Sequence, residues 1–269
     1  MSIPTKVTEF YKRAKENLEK FESIIFVLSG KGGVGKSLIS ALIAIALSEK
    51  GYKTSIFDSD LHGPSIPELF GVIGASLMVQ DDKIVPITTR RGLEIVSIGL
   101  ALPSRDTPLV WRGPLKTRAI VELLSKSYWH NRDILVVDLP PGTGDEPLTM
   151  MQLAPKNSKA IVVTIPSKLS EDIVVKAVHF VNSMNVKLVG IVENMSYVEC
   201  PRCHYKIPLF PYTAGESIAR KYNVRLLAKV PLIPELNYYA DSGRIEEYFP
   251  QKAAKSLIES IEHIVNALI

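Results

Sequence analysis

The spacing of apolar residues divides the chain into short buried strands that alternate with helices. Short runs rich in apolar and β-branched residues are typical of buried parallel strands, and they fall at 24–28, 53–57, 134–137, 160–165 and 187–192. Apolar residues at helical spacing predict helices at 38–47, 115–128, 169–184 and 251–269. This alternation predicts an α/β protein with a mostly parallel, twisted sheet and helices on both of its faces.

The first 22 residues form a segment of their own. Lysines and glutamates alternate there with apolar residues at helical spacing, Val7, Phe10, Tyr11, Ala14, Leu18 and Phe21, which predicts an amphipathic helix. We expect this helix, within 1–22, to pack on a single domain that spans 23–269. Inside that domain, β-like runs at 83–87 and 93–97 flank a polar turn and predict a hairpin or an edge meander.

A glycine-rich segment joins the first predicted strand to the first helix of the domain. It reads Gly30, Lys31, Gly32, Gly33, Val34, Gly35, Lys36, Ser37 and Leu38. Strand, glycine loop and helix are the context of a P-loop, in which backbone N–H groups and a helix N-terminus surround a triphosphate. We therefore expect ATP to bind here, with Lys36 on the β- and γ-phosphate oxygens and Ser37 as a ligand of Mg²⁺.

Acidic residues end two of the predicted strands. Asp58 and Asp60 follow the second strand, and Asp138 ends the third buried run. Because ligands of parallel sheets bind at the carboxyl ends of the strands, these carboxylates are predicted to lie near the phosphates, with Asp138 as a Walker B residue that holds Mg²⁺. The segments 61–67 and 138–145 combine prolines with glycines, as expected of switch segments that respond to the γ-phosphate.

Composition limits the choice of partners and compartment. The chain has 269 residues, 46% of them hydrophobic, and its net charge of +4 is spread without long blocks. Such mixed charge argues against nucleic acid or an acidic membrane as a main partner. We see no cleavable leader and no apolar run near the roughly twenty residues that span a bilayer. These features predict a cytoplasmic protein without stable membrane association.

The two cysteines, Cys200 and Cys203, lie close together in a proline-bounded loop at 196–212. Two thiolates complete neither a tetrahedral zinc site nor an iron–sulfur cluster, so a bound cluster requires two more ligands, which a symmetric homodimer supplies. Four alternatives remain: a thioredoxin-like redox pair, zinc with His204 added, zinc bridging a dimer, and an unliganded pair. The redox alternative is disfavoured because a redox pair of that kind opens a helix.

Several motifs carry a resemblance to known families. The second lysine of the glycine-rich segment, Lys31, makes it resemble the deviant Walker A motif of the MinD, ParA and Mrp ATPases. Other segments resemble the Mrp branch, the ApbC-like iron–sulfur cluster carriers, in particular 58–65, Trp111 to Pro114, 138–145, 192–203 and 230–234. The likeness extends from about Ser23 to Pro250, and it implies a P-loop ATPase fold.

The resemblance also implies roles for nucleotide-site residues. It implies that Lys31, Lys36 and Asp60 are catalytic: Lys31 crosses a dimer interface to the nucleotide of the partner, and Asp60 helps to orient the attacking water. It implies that Asn194, whose amide can pair with the edges of adenine, reads the base. The loop that contains Pro231 resembles the family loop that closes over the base.

For the cysteines the resemblance implies a specific cargo. In the similar proteins a labile 4Fe-4S cluster bridges two subunits, so Cys200 and Cys203 are expected to bind it in a homodimer. ATP is needed there to load the cluster or to deliver it to recipient apoproteins. This chain departs from the family at Leu38, where a hydroxyl residue is common, and at 210–215, where a glycine run is usual.

One rival prediction is a positioning ATPase of the ParA or MinD kind, with a structural zinc at the cysteine pair. It would bind a nucleoid or membrane, and the final helix is poor in the Lys and Arg that such binding needs. A small-molecule kinase is a further alternative, but we find no arginine-rich lid in the sequence.

Overall fold

The computed structural model of the protein describes residues 5–101 and 113–269, and an eight-stranded sheet lies at its centre. The strands are β1 Ser23–Ser29, β2 Thr54–Asp58, β3 Met78–Gln80, β4 Lys83–Val85, β5 Ile87–Thr88, β6 Glu94–Ser97, β7 Ile134–Asp138, β8 Ser158–Thr164, β9 Lys187–Glu193, β10 Tyr197–Glu199, β11 Lys206–Pro208 and β12 Leu226–Lys229. The central order is β12-β9-β8-β1-β7-β2-β6-β5, and all neighbours are parallel except the antiparallel pair β5 and β6.

Helices cover both faces of this sheet. They are α1 Thr5–Leu18, α2 Lys36–Glu49, α3 Ile66–Leu69, α4 Gly113–Lys126, α5 Asp145–Gln152, α6 Glu171–Asn182, α7 Ala214–Tyr222, α8 Pro234–Asp241, α9 Ile245–Tyr248 and α10 Lys255–Leu268. Alternate residues of β1 face opposite ways: Ile25 and Val27 pack with α2 and α10, whereas Phe26 packs with α1, α4 and α5. The predicted mostly parallel α/β fold is confirmed.

The register of the central strands brings the acidic residues together. Asp138 of β7 pairs with Val27 of β1 on one side and with Asp58 of β2 on the other. The strands are parallel, so their carboxyl ends lie at one edge, where the loop after β1 leads into α2. This edge is where the sequence predicts the phosphates.

The segment around 83–97 differs from the prediction. The run 83–87 is divided at Pro86: β4 pairs with β3 in a separate two-stranded sheet, and only β5 forms a hairpin with β6. Proline has no amide hydrogen to continue a strand ladder, which accounts for the division. Strand β3 and helix α5 have no counterpart among the sequence-predicted elements.

The two terminal helices pack against the body of the protein. On α1, Ala14 and Leu18 are buried, and the Asn17 amide donates to three carbonyls of the segment that ends α4, those of Leu124, Ser125 and Ser127. Phe21 lies beyond the end of α1 and packs edge to face on Trp129. The apolar side of α10 is buried in the core, which supports the core-packing interpretation over a membrane-binding one.

None of the helices in the described ranges is long and apolar enough to cross a lipid bilayer.

Candidate nucleotide and cysteine sites

The P-loop connects β1 to α2 by a tight path that requires glycine. Gly35 precedes α2 with a φ of 79°, in the left-handed region where a side chain is strained. A Cβ atom there would lie 2.2 Å from Nδ2 of Asn194, and one on Gly30 would lie 2.4 Å from Cγ2 of Ile173. The loop is therefore wedged between α6 and the segment after β9, so movement of either neighbour acts on it directly.

Four side chains, three of them buried, form a polar cluster at the end of the P-loop. Asp138 is fully buried, and its Oδ2 lies 2.7 Å from Nζ of Lys36 and 2.6 Å from Oγ of Ser37. Its other oxygen, Oδ1, accepts a 2.6 Å hydrogen bond from Oγ of Ser40. The structure thus brings together three predicted residues and adds Ser40, which the sequence analysis did not identify.

Asp58 lies next to this cluster and is also fully buried. It accepts hydrogen bonds from Oγ of Ser97 at 2.8 Å and from the amide of Asp60 at 3.1 Å. Burial, followed by the negative charge of Asp138, raises the pKa of Asp58 from 3.8 to about 8, and the Lys36 ammonium opposes this rise. The folded protein therefore favours the protonated form of this carboxyl group more than the unfolded chain does.

Asp60 heads a turn that leads into the first candidate switch segment. Its Oδ1 accepts from the amides of His62 at 3.1 Å and Gly63 at 3.2 Å. Nε2 of His62 lies 2.6 Å from Nζ of Lys116 on α4, and the same ammonium lies 4.0 Å from Glu146 at the start of α5. Lys116 therefore links the segment after β2 with the one after β7.

The donors around Asp138 fit a magnesium ion. Mg²⁺ prefers carboxylate and hydroxyl oxygens together with water and phosphate oxygens. Ser37 Oγ and the Asp138 carboxylate are such oxygens, they touch each other, and they lie beside the P-loop. Ser37 and Asp138 are therefore the residues that would hold the ion, whose chemistry there is to neutralise charge on the transferring phosphoryl group.

Asn194 contacts the P-loop rather than facing solvent. Its Nδ2 donates to the carbonyl of Val34 at 2.9 Å, and its own amide donates to the carbonyl of Thr164 at 2.7 Å. Pro231 is buried in the segment after β12. Base reading by Asn194 and closure by the Pro231 loop both stay predictions.

The remaining residues of the glycine-rich segment differ in exposure. Gly32 and Gly33 are exposed and Lys31 is partly exposed, whereas Val34 is buried. Within residues 5–101 and 113–269, no carboxylate forms an ion pair with Lys31. Leu38, at the position where the similar family has a hydroxyl, packs against the apolar core.

The cysteine pair lies at the tip of a β-hairpin. Strands β10 and β11 pair antiparallel from Tyr197 and Pro208 to Glu199 and Lys206. At the tip the Cys200 amide donates to the Tyr205 carbonyl at 3.0 Å. The predicted loop is therefore a hairpin, and the pair does not open a helix, as a thioredoxin-like redox pair would.

The surroundings of Cys200 favour its thiolate. Hydrogen bonds from the backbone of Cys203, then from the backbone of Arg202 and the side chain of Cys203, lower the pKa of the Cys200 thiol. Cys203 is exposed and Cys200 is partly exposed, and both are free. Thiolates are the form that binds metals, so Cys200 is suited to bind a soft metal ion.

A single copy of the chain provides only part of a metal site. Across residues 5–101 and 113–269 no three His, Cys, Asp or Glu side chains converge to hold an ion. His204, the candidate third zinc ligand, has Nδ1 2.7 Å from Oε1 of Glu199 instead. A metal ion or cluster that needs more than two ligands would therefore take the others from outside the described residues of one chain.

Exposed apolar residues continue from the hairpin tip along its outer strand. We call them the hairpin apolar surface: Tyr205, Ile207, Leu209 and Phe210, which are 66%, 47%, 38% and 40% exposed. Four exposed apolar residues within six positions of the chain make this segment a candidate interaction surface.

Some functional contacts could have been found from sequence signals. A hydroxyl residue in the otherwise aliphatic helix α2, Ser40, and a glutamate at the end of a buried strand, Glu193, both break an apolar pattern. The bridge from Lys116 to His62 has no such signal, since both residues occur in ordinary polar surroundings.

Comparison with known proteins agrees with this arrangement. A protein of Methanocaldococcus jannaschii named iron-sulfur cluster carrier protein is 38% identical over 258 residues, 93% of this chain and 89% of that protein. The structure of a nucleotide-binding protein from Archaeoglobus fulgidus in complex with ADP superposes with a TM-score of 0.78 at 39% identity, covering 89% of this chain and 94% of that one.

More distant structures share the fold. The cell division ATPase MinD of Pyrococcus furiosus has a TM-score of 0.65 at 22% identity, covering 91% of this chain and 99% of that one. A family model described as NUBPL iron-transfer P-loop NTPase matches residues 20–269. The chain therefore belongs to this family of iron-transfer P-loop NTPases, and it is an ATP hydrolase.

Proposed function

We propose that the protein is an ATP-dependent carrier that holds a 4Fe-4S cluster between the cysteine hairpins of two copies and transfers it to recipient apoproteins. The observation that carries this proposal is the hairpin tip itself, which presents two free, accessible thiols and no further ligand within the described residues. A cubane cluster takes four thiolates, so two hairpins related by a two-fold axis supply the complete set.

Two further features support a homodimer. The hairpin apolar surface lies beside the cysteines, and its burial against a second copy would remove it from water. Lys31 is partly exposed and has no carboxylate partner in the described ranges, and in the dimer it would extend to a nucleotide phosphate of the second copy. Both features favour a face-to-face arrangement of the two nucleotide edges.

The nucleotide edge would work through its own side chains. Lys36 now neutralises Asp138, and it would turn to the β- and γ-phosphate oxygens when ATP binds. Ser37 and Asp138 would then hold Mg²⁺, and Asp60 would orient the attacking water. Asn194 and Pro231 would hold the base. Hydrolysis would release the contacts of the γ-phosphate and thereby loosen the dimer around the cluster.

We also propose the cytoplasm as the working compartment. Both cysteines are free, and a labile cluster requires reduced thiols, which a cytoplasmic glutathione pool maintains.

Anaerobic reconstitution with iron and sulfide tests the cargo. We expect a brown protein with an absorption band of a thiolate-bound cluster, about four irons per dimer, and the mass of a dimer by light scattering. A colourless protein that binds zinc, or a cluster on a monomer, would contradict the proposal and leave only the ATPase assignment.

A further inference from the structure

Glu193, the last residue of β9, lies between the nucleotide residues and the cysteine hairpin and belongs to neither. Its side chain is 0% exposed. In the part of the chain that the structure describes, hydrogen-bond donors rather than cations surround its carboxylate. A buried carboxylate without a cation is unfavourable unless each oxygen accepts hydrogen bonds, so the two donors fix the position of this group.

The two donors belong to two different elements. Oε1 of Glu193 accepts from Oγ of Ser196 at 2.7 Å, and Ser196 directly precedes β10, the first strand of the hairpin. Oε2 accepts from the amide of Gly215 at 2.8 Å, in the first turn of α7, whose N-terminus carries partial positive charge. One carboxylate thus fastens both the hairpin base and α7 to the end of β9.

The next residue in the chain contacts the P-loop. Nδ2 of Asn194 donates to the carbonyl of Val34. The same atom is so close to Gly35 that a Cβ on that residue would lie 2.2 Å from it. A shift of the P-loop backbone therefore has to displace Asn194. Because Glu193 and Asn194 share a peptide bond, that displacement acts on the group that holds the hairpin base.

A short backbone ladder joins the same segment to the loop that contains Pro231. The Val230 amide donates to the Glu193 carbonyl at 2.8 Å, and the Ser196 amide donates to the Val230 carbonyl at 2.9 Å. The Leu232 amide then donates to the Tyr197 carbonyl at 2.8 Å. The predicted base-closing loop and the hairpin base therefore move together.

We propose that Glu193 is the positioning residue that transmits the nucleotide state to the cysteine hairpin. It does so by holding Ser196 and α7 rigidly to the residue that touches the P-loop. This inference rests on the proposed function, in which both sites act in one cycle. It adds the contact through which they are coupled.

The substitution Glu193→Gln tests this role without opening a cavity. Glutamine has the same shape, but only one of its terminal atoms accepts hydrogen bonds, and it lacks the charge that strengthens both contacts. Ser196→Ala removes the hairpin-side donor and is the second variant. Glu216→Gln is the matched control, because Glu216 lies next to Gly215 on α7 but pairs with Lys229 and, within the described ranges, forms no hydrogen bond with the hairpin base.

The readout is the alkylation rate of the two cysteines in metal-free protein, with and without Mg-ATP, resolved by mass spectrometry. These are the only cysteines of the sequence, so labelling reports on the hairpin alone. In the wild type and in Glu216→Gln we expect ATP to change the rate about fivefold or more, the low end of coupling between linked sites. In Glu193→Gln and Ser196→Ala we expect ATP to change the alkylation rate by no more than about twofold, with ATP binding retained.

Light scattering at the same protein concentration separates lost dimerisation from lost coupling. A variant that dimerises with ATP but leaves its thiols unresponsive supports the inference. A wild-type labelling ratio in Glu193→Gln, or loss of ATP binding itself, would overturn it. The wild type could also bind a bridged cluster after reconstitution and yet show the same alkylation rate with and without ATP. That result would overturn the coupling and leave the carrier function standing.

Discussion

The nucleotide edge is the edge of the sheet where Lys36, Ser37 and Asp138 lie. It differs from the cysteine hairpin in whether its functional side chains already have partners within one chain. At the nucleotide edge, Asp138 is buried and both its oxygens are occupied by Lys36, Ser37 and Ser40. At the hairpin tip, Cys200 and Cys203 are free and reach water. Preorganised groups suit repeated binding of one ligand. An incomplete and exposed set of thiol ligands suits a cargo that must enter and leave.

The difference also separates the two activities physically. The hairpin is a pair of three-residue strands that extends from the sheet, so changes at its tip need not disturb the buried core. The nucleotide cluster lies inside that core. Variants at the two places should therefore affect different observables.

The largest effect is expected from the cysteines. Cys200→Ala and Cys203→Ala each leave at most one thiolate per hairpin, and two copies then provide half of the four ligands that a cluster needs. Iron and sulfide content after reconstitution should fall to background, whereas ATP binding measured by calorimetry should stay at the wild-type value.

The reciprocal variant is Asp60→Asn. The amide oxygen keeps the turn, since Oδ1 accepts from His62 and Gly63, but it cannot act on water as a carboxylate does. The rate of ATP hydrolysis should fall about a hundredfold or more, and iron content should be unchanged. Cluster loss in Asp60→Asn, or lost ATP binding in a cysteine variant, would show that the two sites are not separable.

A smaller effect is expected at Ser40. Lys36 and Ser37 would both leave Asp138 for the nucleotide and Mg²⁺, and Ser40 would then be the contact that keeps Oδ1 oriented. Ser40→Ala should lower kcat/KM about tenfold, equivalent to about 1.4 kcal/mol, and raise the Mg²⁺ concentration required for half-maximal rate. Steady-state rates across a magnesium series measure both quantities.

The control for this substitution lies on the same helix. Ser48 is near the far end of α2, so Ser48→Ala should leave the magnesium dependence unchanged. A uniform loss of rate in Ser40→Ala with unaltered magnesium dependence would contradict an orienting role and indicate a general packing defect.

The sequence predicted that the P-loop and the strand-end acids share one edge of the sheet, because the signals of these elements are local. Strand, glycine loop and helix are contiguous from β1 to α2, and acids at strand ends are visible in any parallel sheet pattern. The register that brings Asp58 opposite Asp138 joins residues far apart in the chain. Periodicity contains no information about which strands become neighbours.

The hairpin was harder to predict because its structure is short and exposed. Strand β11 has three exposed residues, so no apolar alternation distinguishes it from a loop. Pro86 likewise divided a run that reads as one strand, and α5 spans only eight residues with two acids at its start. In each case a turn or a tertiary contact decided the structure, where the local pattern was too short to do so.

A last effect is expected in the pH dependence of stability, and it separates the buried edge from the hairpin once more. The pKa of Asp58 rises from 3.8 to about 8 in the folded protein, so the folded state binds a proton that the unfolded chain has lost. The stability that this proton provides is fully present below pH 3.8 and is lost as pH rises through about 8.

Asp58→Asn removes that titration and keeps one acceptor, for Ser97, while the loss of the acceptor for the Asp60 amide lowers stability equally at every pH. The melting temperature of the metal-free variant, relative to the wild type, should therefore rise steadily between about pH 4 and pH 8. Cys203→Ser, at the exposed tip, should show no such trend. A difference in melting temperature between Asp58→Asn and the wild type that stays constant across this pH range would mean that Asp58 is ionised in the folded protein. In that case Lys36, rather than a proton, would neutralise the carboxylates of Asp58 and Asp138. When Lys36 turned to the phosphates, these two buried negative charges would repel each other without a cation between them.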